Sequence, residues 1–238
     1  VRVTTEDGVA DAFFVHPARG RHPGVIMWPD IAGVREAKKI MARQLAAQGY
    51  AVLCVNPYYR SAPAPVMESF AEFMQPGGRE RVSAYRALLT PAAVTRDARA
   101  YVTFLDASEA VDTKRGIGSH GFCMGGPFTV RSAAAVPARV RAAASFHGGG
   151  LVTDEADSPH KLLGRTQASY LIAVARNDDE KAPGDKDAFR AAAEKAGRPA
   201  EIEVYPADHG WMVPDAPSWD PIAADKGFQR MLALYGKL

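Results

Sequence analysis

Short runs of apolar residues alternate along the chain with longer segments in which apolar residues recur at helical spacing. The strand-sized apolar runs lie at 25–28, 51–55, 115–120, 141–146, 170–175 and 200–205. The segments with helical spacing lie at 35–48, 91–106, 125–135, 185–196 and 221–235. Parallel strands need a crossover connection, and a helix is the usual crossover. The pattern therefore predicts a three-layer α/β fold with a mostly parallel sheet and helices on both faces.

The residues before the first of these strands follow a different pattern. Two segments, 1–5 and 12–16, flank the turn sequence Glu6-Asp7-Gly8. Because an Asp-Gly pair favours the positive φ angles of tight turns, we predict an N-terminal β-hairpin here. The chain has 238 residues, a length that suits one large core, so residues 1–238 are predicted to form a single domain.

The stretch from 56 to 90 interrupts the regular alternation. It is rich in Pro and Ala at 61–65 and is broken again by the Pro-Gly-Gly sequence at 76–78. We predict loops with one or two short helices in this stretch. A long insertion of this kind can form a substrate-binding segment or a lid, and it can also be a surface excursion with no role in a site. Both interpretations stay open.

Composition and charge exclude several classes of protein. The chain carries 29 Lys and Arg against 27 Asp and Glu, and its net charge of +2 is too small to indicate binding to nucleic acid or to a membrane surface. The apolar runs are too short for a transmembrane helix. Two cysteines cannot build a disulfide scaffold or a zinc cluster, and their scarcity predicts a reducing, cytoplasmic location. The chain begins at Val1, so removal of an N-terminal segment stays open.

The most specific local motif is Gly-Phe-Cys-Met-Gly-Gly at 121–126, between a predicted strand and a predicted helix. A residue held in a tight strand-to-helix turn needs small neighbours two positions away on each side, and glycines supply them. The turn places Cys123 at a helix N-terminus, which stabilises a thiolate, and makes the N–H of Met124 a candidate oxyanion donor. The alternative is a buried cysteine in a glycine-rich turn. Cys54 has no flanking glycines and is predicted to be structural.

A nucleophile at such a turn needs a carboxylate and then a histidine at the ends of later strands. Asp178 follows the strand at 170–175, and His209 follows the strand at 200–205. The chain order is therefore the nucleophile–acid–base order of α/β hydrolases. Asp179 is an alternative acid, and Asp178 is preferred because of its distance from the strand end. His147 also follows a strand, but it precedes the acid in the chain and so breaks the expected order.

Together these residues resemble the dienelactone hydrolase family of α/β hydrolases over nearly the whole chain. The Gly-x-Cys-x-Gly-Gly turn is the most specific match, because most α/β hydrolases have serine there. The other matches are Gly33, Gly49-Tyr50-Ala51-Val52, Pro57-Tyr58-Tyr59-Arg60, the Asp178 loop and His209-Gly210. The resemblance implies an α/β-hydrolase fold and a Cys–His–Asp triad that cleaves a small ester or lactone through a thioester acyl-enzyme. The founding activity of the family converts a dienelactone to maleylacetate.

The resemblance also implies roles for residues outside the triad. Asp30 would contact the resting cysteine, and the N–H of Ile31 would be the second oxyanion donor. Candidate ligands for a substrate carboxylate are Arg35, Arg60 and Arg81. Trp211, two residues past His209, is a candidate wall of the pocket, with a packing role as the alternative. No metal or organic cofactor is expected, and the protein is expected to be a monomer or a small homo-oligomer.

Two other functions are compatible with the same residues. One is a general carboxylesterase or thioesterase without dienelactone activity. The other is a catalytically silent binding or redox-sensing protein, because an exposed cysteine with a lowered pKa suits reversible oxidation. The presence of both Asp178 and His209 argues against a sensor, which needs neither residue.

Overall fold

The computed structural model describes residues 1–238, and its strands form one eight-stranded sheet. The strands are β1 (Arg2–Thr5), β2 (Gly8–Val15), β3 (Gly24–Trp28), β4 (Ala51–Val55), β5 (Ile117–Phe122), β6 (Val140–Phe146), β7 (Ser169–Ala175) and β8 (Ala200–Tyr205). Their order in the sheet is β1-β2-β4-β3-β5-β6-β7-β8. The β1–β2 and β2–β4 pairs are antiparallel and all other pairs are parallel. The predicted N-terminal hairpin and mostly parallel sheet are confirmed.

Eight α-helices surround the sheet. They are α1 (Glu36–Ala46), α2 (Phe70–Met74), α3 (Gly78–Arg86), α4 (Pro91–Ala107), α5 (Gly126–Ala135), α6 (Arg176–Lys181), α7 (Asp185–Ala196) and α8 (Pro221–Tyr235). Helices α1 and α8 contribute to the core on one face of the sheet, and α4, α5 and α7 contribute to the core on the other. The predicted three-layer arrangement is confirmed. None of the helices is both long and apolar enough to cross a membrane.

The two cores follow from the alternation of side chains along the central strands. In β3, Val25 and Met27 lie in the core under α1 and α8, whereas Ile26 and Trp28 lie in the opposite core. Strands β3 and β4 are buried on both faces, which explains why they are continuous apolar runs. Cys54 in β4 is fully buried, and burial raises the pKa of its thiol to about 12. Cys54 is therefore a structural cysteine.

The irregular stretch 56–90 contains α2 and α3 and packs against the loop that follows β3. Phe73 of α2 and Val82 of α3 share a small core with Ala32, Tyr58 and Met67. This core holds the stretch beside the carboxyl end of β3. The edge of the sheet that carries the predicted catalytic loops therefore lies next to both short helices.

The residues after β7 differ from the sequence expectation. The sequence predicts a loop from Arg176 to Asp179, but α6 begins directly after the strand. Asp178 and Asp179 lie in its first turn, where carboxylates interact favourably with the positive end of the helix dipole. The short helix also fixes the direction in which the two carboxylates point.

Candidate active site

The turn around Cys123 cannot be built without its glycines. β5 ends at Phe122, a single turn of 3-10 helix spans Cys123–Gly125, and α5 follows. A Cβ atom on Gly121 would lie 2.1 Å from the carbonyl oxygen of Gly125, and one on Gly125 would lie 2.6 Å from that of Pro29. Cys123 itself has a φ of 51°, a left-handed conformation that is strained for a residue with a side chain. The fold holds a partly exposed thiol in a sharp turn at the sheet edge.

His209 lies in the loop after β8, where α6 fixes both its ring and its backbone. The ring Nδ1 lies 2.6 Å from Oδ2 of Asp178, and the backbone N–H donates to Oδ1 of Asn177 at 2.8 Å. Asp179 instead pairs with Lys186 at 2.8 Å. The geometry thus joins Asp178, and not Asp179, to the histidine. Asn177 had no signal in the sequence beyond its place beside the acid.

The surroundings of His209 favour the imidazolium form. Burial alone would lower the pKa of His209, but hydrogen bonds to Asp178 and Cys123 and the negative charges of both groups outweigh it. The pKa of His209 is thereby raised to about 10. Because Nδ1 is occupied by Asp178, Nε2 is the nitrogen that remains for the sulfur. Asp178 is thus bonded to His209, and Cys123 is close enough to His209 to contribute to its raised pKa.

The second histidine at this edge, His147, is a packing neighbour of His209. Its ring meets that of His209 edge to face, with 4.9 Å between the ring centroids, and its side chain is buried. Burial first, and then the charge of His209, hold the pKa of His147 well below its ordinary value. Neither ring nitrogen has a hydrogen-bond partner in the chain. A neutral, enclosed ring of this kind packs against His209 and is not suited to act as the general base.

The two residues expected to supply oxyanion donors lie in neighbouring segments, which Tyr58 joins. Ile31 lies in the loop after β3, and its N–H has no acceptor within the chain. Met124 follows the cysteine directly in the turn. The hydroxyl of Tyr58 donates to the carbonyl of Ile31 at 2.8 Å and lies 3.4 Å from Sδ of Met124. Tyr58 therefore connects the two predicted oxyanion residues, a role that the Pro-Tyr-Tyr-Arg motif alone did not show.

The structure places Asp30 differently from the expectation that it orients the cysteine. Its buried carboxylate accepts hydrogen bonds from Arg35 at 2.8 and 3.1 Å and from the Ala32 N–H at 2.9 Å, and Nζ of Lys38 lies 2.8 Å away. Burial alone would raise the pKa of Asp30, but the charges of Lys38 and Arg35 hold it well below its ordinary value. The carboxylate is therefore held by cations, and no hydrogen bond joins it to Cys123.

Arg35 extends this ion cluster to two other segments. Its Nε and Nη2 donate to the Asp215 carboxylate, both at 2.7 Å, and Asp215 also accepts from the N–H of Phe70 at 2.9 Å. Asp215 belongs to the loop that carries His209, and Phe70 begins α2. The cluster therefore joins the Ile31 loop, the His209 loop and the 56–90 stretch. Asp215 and Lys38 were not identified from the sequence, because Arg35 and Asp215 are 180 positions apart.

The arginines expected to bind a substrate carboxylate are all paired within the chain. Arg35 is fully buried between its two carboxylates. Arg60 pairs with Asp7 and Asp97 at 2.6 and 2.7 Å, beside the N-terminal hairpin. Arg81 pairs with Glu72 at 2.6 Å, and its side chain is 47% exposed. Arg81 is thus the one of the three whose ion pair is open to solvent.

Trp211 does not form a wall of the site. Its side chain is fully buried and stacks on Tyr205, with 4.5 Å between ring centroids and 9° between ring planes. It also contacts the edges of Phe146 and His147. The expectation of a pocket wall is wrong because the chain turns inward after His209 and directs the indole into the core. Trp211 supports the histidine loop from below.

Removing the centre of the ion cluster is expected to destabilise the fold. Arg35→Ala leaves Asp30 buried beside only Lys38, and breaking a buried ion pair from one side costs about 3–5 kcal/mol. Arg43→Ala is the control, because it removes an exposed ion pair with Glu36 within α1, the helix that begins directly after Arg35. It is expected to leave the free energy of unfolding nearly unchanged. Urea unfolding measures both variants. Equal effects would show that the Arg35 cluster contributes no more than a surface pair.

The raised pKa of His209 predicts a specific dependence on pH. The imidazolium is expected to persist through neutral pH and to lose its proton near pH 10. Because the folded pKa lies above the ordinary value of 6.5, the stabilisation from this proton is complete below pH 6.5 and is lost as pH rises toward 10. In Cys123→Ala the pKa should fall, since only Asp178 then opposes the effect of burial. NMR titration of the His209 ring in both proteins measures it, and an unchanged pKa would contradict the contact with sulfur.

Comparison with known proteins identifies relatives along nearly the full length of the chain. The model of the dienelactone hydrolase family matches residues 10–238. A Methylorubrum extorquens protein provisionally named a carboxymethylenebutenolidase is 29% identical over 237 residues, which cover 97% of this chain and 78% of that protein. A Synechocystis protein with the same provisional name is 27% identical and covers 92% of this chain and 87% of its own length.

Solved structures share the fold. A Klebsiella pneumoniae protein provisionally described as a dienelactone hydrolase superposes with a TM-score of 0.83 at 25% identity, covering all of this chain and 97% of the other. The acylaminoacyl peptidase of Pyrococcus horikoshii superposes with a TM-score of 0.71 at 15% identity, over 41% of its own chain. The second likeness shows the common fold alone, because the sequences have diverged so far.

Proposed function

The chain belongs to the dienelactone hydrolase family, and on that premise we propose that this hydrolase cleaves a small carboxylic ester or lactone with Cys123, His209 and Asp178 as its triad. The observation that carries the proposal is the 2.6 Å contact between Asp178 and the ring of His209, on the edge where the glycine-built turn presents Cys123. The names of the relatives agree with this chemistry, since a carboxymethylenebutenolidase acts on a lactone.

The proposed reaction proceeds through a thioester. The sulfur of Cys123 attacks the acyl carbon, and the electron pair of the carbonyl moves onto its oxygen, which accepts hydrogen bonds from the N–H groups of Ile31 and Met124. Collapse of this intermediate breaks the bond to the alcohol oxygen, which takes a proton from His209. In the second half, neutral His209 accepts a proton from water, and the resulting hydroxide attacks the thioester. The acid product leaves and the cysteine is restored.

Asp178 supports both halves of this reaction. By accepting from Nδ1 it keeps Nε2 directed at the sulfur and at the leaving group, and it stabilises the imidazolium that forms in each cycle. Asp30 and Arg35 act indirectly, because they hold the loop that carries the Ile31 donor. We assign them a positioning role.

The residues of the site indicate the type of reaction more closely than they indicate the acid part of the substrate. Arg35 and Arg60 are each held between two carboxylates, so neither offers a free guanidinium to an anionic substrate. Arg81 has one carboxylate partner, Glu72, in a solvent-exposed pair of low strength, and a 3.4 Å hydrogen bond to the carbonyl of Val66. We therefore propose Arg81 as the carboxylate ligand if the substrate is an acidic lactone. The alternative is a neutral ester or thioester, and kcat/KM for dienelactone, aryl ester and thioester substrates distinguishes these cases.

Trapping the acyl-enzyme tests the proposed function. Para-nitrophenyl acetate is mixed with the protein and quenched in acid before one turnover is complete, and the digested peptides are examined by mass spectrometry. We expect a burst of nitrophenolate and an acetyl group on Cys123, with the buried Cys54 unmodified as an internal control. Steady hydrolysis without acetyl on Cys123, or acetyl on another residue, would overturn the assignment of the nucleophile.

A further inference from the structure

A cavity separate from the triad lies between α1 and α8, on one face of the sheet. Its volume is about 450 Å³, within the range of small-molecule sites in proteins. Its walls are mostly apolar, formed by side chains that include Met41, Leu45, Met212 and Phe228, and its floor includes Phe122. Cys123, Asp178 and His209 do not line it. The cavity is therefore not the cleft in which the proposed hydrolysis takes place.

One polar side chain stands at the floor of this cavity. His120, in β5, is 2% exposed and lines the cavity. Its Nδ1 lies 3.1 Å from the hydroxyl of Tyr235, whereas Nε2 has no hydrogen-bond partner in the chain. Nε2 is not among the sealed polar atoms of the fold, so a molecule in the cavity can reach it. A ligand that covers it shields it from water, which is costly unless the ligand itself supplies the hydrogen bond.

The hydrogen bond to Tyr235 decides which kind of ligand atom His120 can meet. The buried hydroxyl of Tyr235 has no other acceptor, so its proton goes to Nδ1 of His120. Burial lowers the pKa of His120 to about 3, so the ring is neutral and carries one proton. That proton is then on Nε2, and His120 presents an N–H donor to the cavity. The matching ligand atom is a hydrogen-bond acceptor.

The charge of the cavity restricts the ligand further. Asp225 is the one charged residue among those that line it, and the remaining polar residues at the walls are the amides Gln44, Gln48 and Gln229. A carboxylate would lose its hydration among the apolar walls and would meet a like charge at Asp225. Lys38, whose Nζ lies 4.0 Å from the centre of the Phe122 ring, does not offset this, because it is already paired with Asp30 at 2.8 Å. An uncharged ligand meets neither penalty.

From the apolar walls, the single imidazole donor at the floor and the acidic rim, we infer that this cavity binds an uncharged aromatic or alicyclic carbonyl compound, such as a ketone, whose oxygen accepts the hydrogen bond of His120. The apolar body of the ligand packs between Met41, Leu45 and Phe228. The site is independent of the proposed hydrolytic function, because no bond of the ligand needs to be cleaved there.

A fluorescent ketone tests this inference directly. Prodan, a naphthyl ketone that cannot be hydrolysed, emits at shorter wavelength in an apolar environment, so titration of the protein reports binding. Competition then compares three naphthalenes of one shape: the acetyl ketone, the ethyl hydrocarbon and the carboxylate. We expect the ketone to compete about tenfold or more better than either of the others, since an unmatched buried donor costs about 1–3 kcal/mol. Equal competition by the hydrocarbon would overturn the role of His120.

Two variants on α8 locate the bound ketone. Ala224→Trp fills the cavity and is expected to weaken prodan binding at least about tenfold, whereas Ala233→Trp, on the exposed side of the same helix, should leave it unchanged. His120→Phe keeps an aromatic ring at the floor and should abolish the preference for ketone over hydrocarbon. Thermal melts check that each variant is folded. The competition series on the parent protein stands even if His120→Phe does not fold.

Two further measurements distinguish binding in this cavity from binding in the catalytic cleft and from contact between two copies of the chain. Alkylation of Cys123 with iodoacetamide blocks the catalytic cleft, and prodan binding is expected to persist after it. Loss of binding on alkylation would place the probe in the catalytic cleft and overturn the inference. Light scattering with Ala224→Trp should show the same molecular mass as the parent. A change in mass would mean that a second copy of the chain covers the cavity, and this result would also overturn the inference.

Discussion

Replacing Cys123 by alanine is expected to lower kcat/KM for an activated ester by about 10⁴-fold or more, the loss typical of removing a nucleophile from a triad. The turn would remain intact, because the glycines that build it are unchanged. Cys54→Ala is the matched control. Its thiol is buried in β4 with a raised pKa, so turnover should stay close to that of the parent. Thermal melts establish that both variants are folded when rates are compared.

The serine variant tests whether the reaction requires sulfur, and not oxygen, at position 123. In Cys123→Ser, an oxygen smaller than sulfur would stop short of the acyl carbon, and a serine hydroxyl must give up its proton to a neutral histidine during attack. In the parent, Cys123 and Asp178 together keep His209 in its charged form, so attack by the thiolate needs no such proton transfer. We expect a loss of about 10²-fold or more. A serine variant as fast as the parent would contradict the thiolate–imidazolium mechanism, and an alanine variant as fast as the parent would contradict the triad itself.

Asp178→Asn is expected to produce the second large loss, again about 10²-fold or more in kcat. The amide can donate to Nδ1, which turns the ring into the tautomer that cannot serve the cysteine, and it no longer stabilises the imidazolium. Asp179→Asn is the matched control one position along the same helix. It removes a partly exposed pair with Lys186 that lies apart from the histidine, so kcat should change little.

The same pair of variants has a readout that a general loss of stability would not produce. In Asp178→Asn the pKa of His209 should fall, because a hydrogen bond and a charge that raise it are gone. In Asp179→Asn it should stay near that of the parent. Equal losses of kcat in both variants, or a larger loss at Asp179, would show that the triad acid is wrongly assigned.

The sequence by itself determined the order of the elements and the location of the candidate site. The spacing of apolar residues predicted the strands and the main helices close to their observed bounds. It could do so because this spacing depends only on residues that are near one another in the sequence. The glycines around Cys123 are also a local signal, since the turn they permit depends on contacts between near neighbours such as Gly121 and Gly125. Asp178 and His209 could be found because each follows a recognisable strand, and parallel strands bring their carboxyl ends to one edge.

Only the tertiary structure decided which charges meet. Arg35 could have faced a substrate as far as the sequence shows, but the fold brings Asp215 to it across 180 positions and closes the cluster with Asp30. The same holds for Trp211, whose direction depends on the path of the loop after His209 and which the fold buries. Side-chain partners of this kind are chosen by the packing of distant segments. The sequence therefore does not indicate whether a charged or aromatic residue in a loop will face the core, a counter-ion or a ligand.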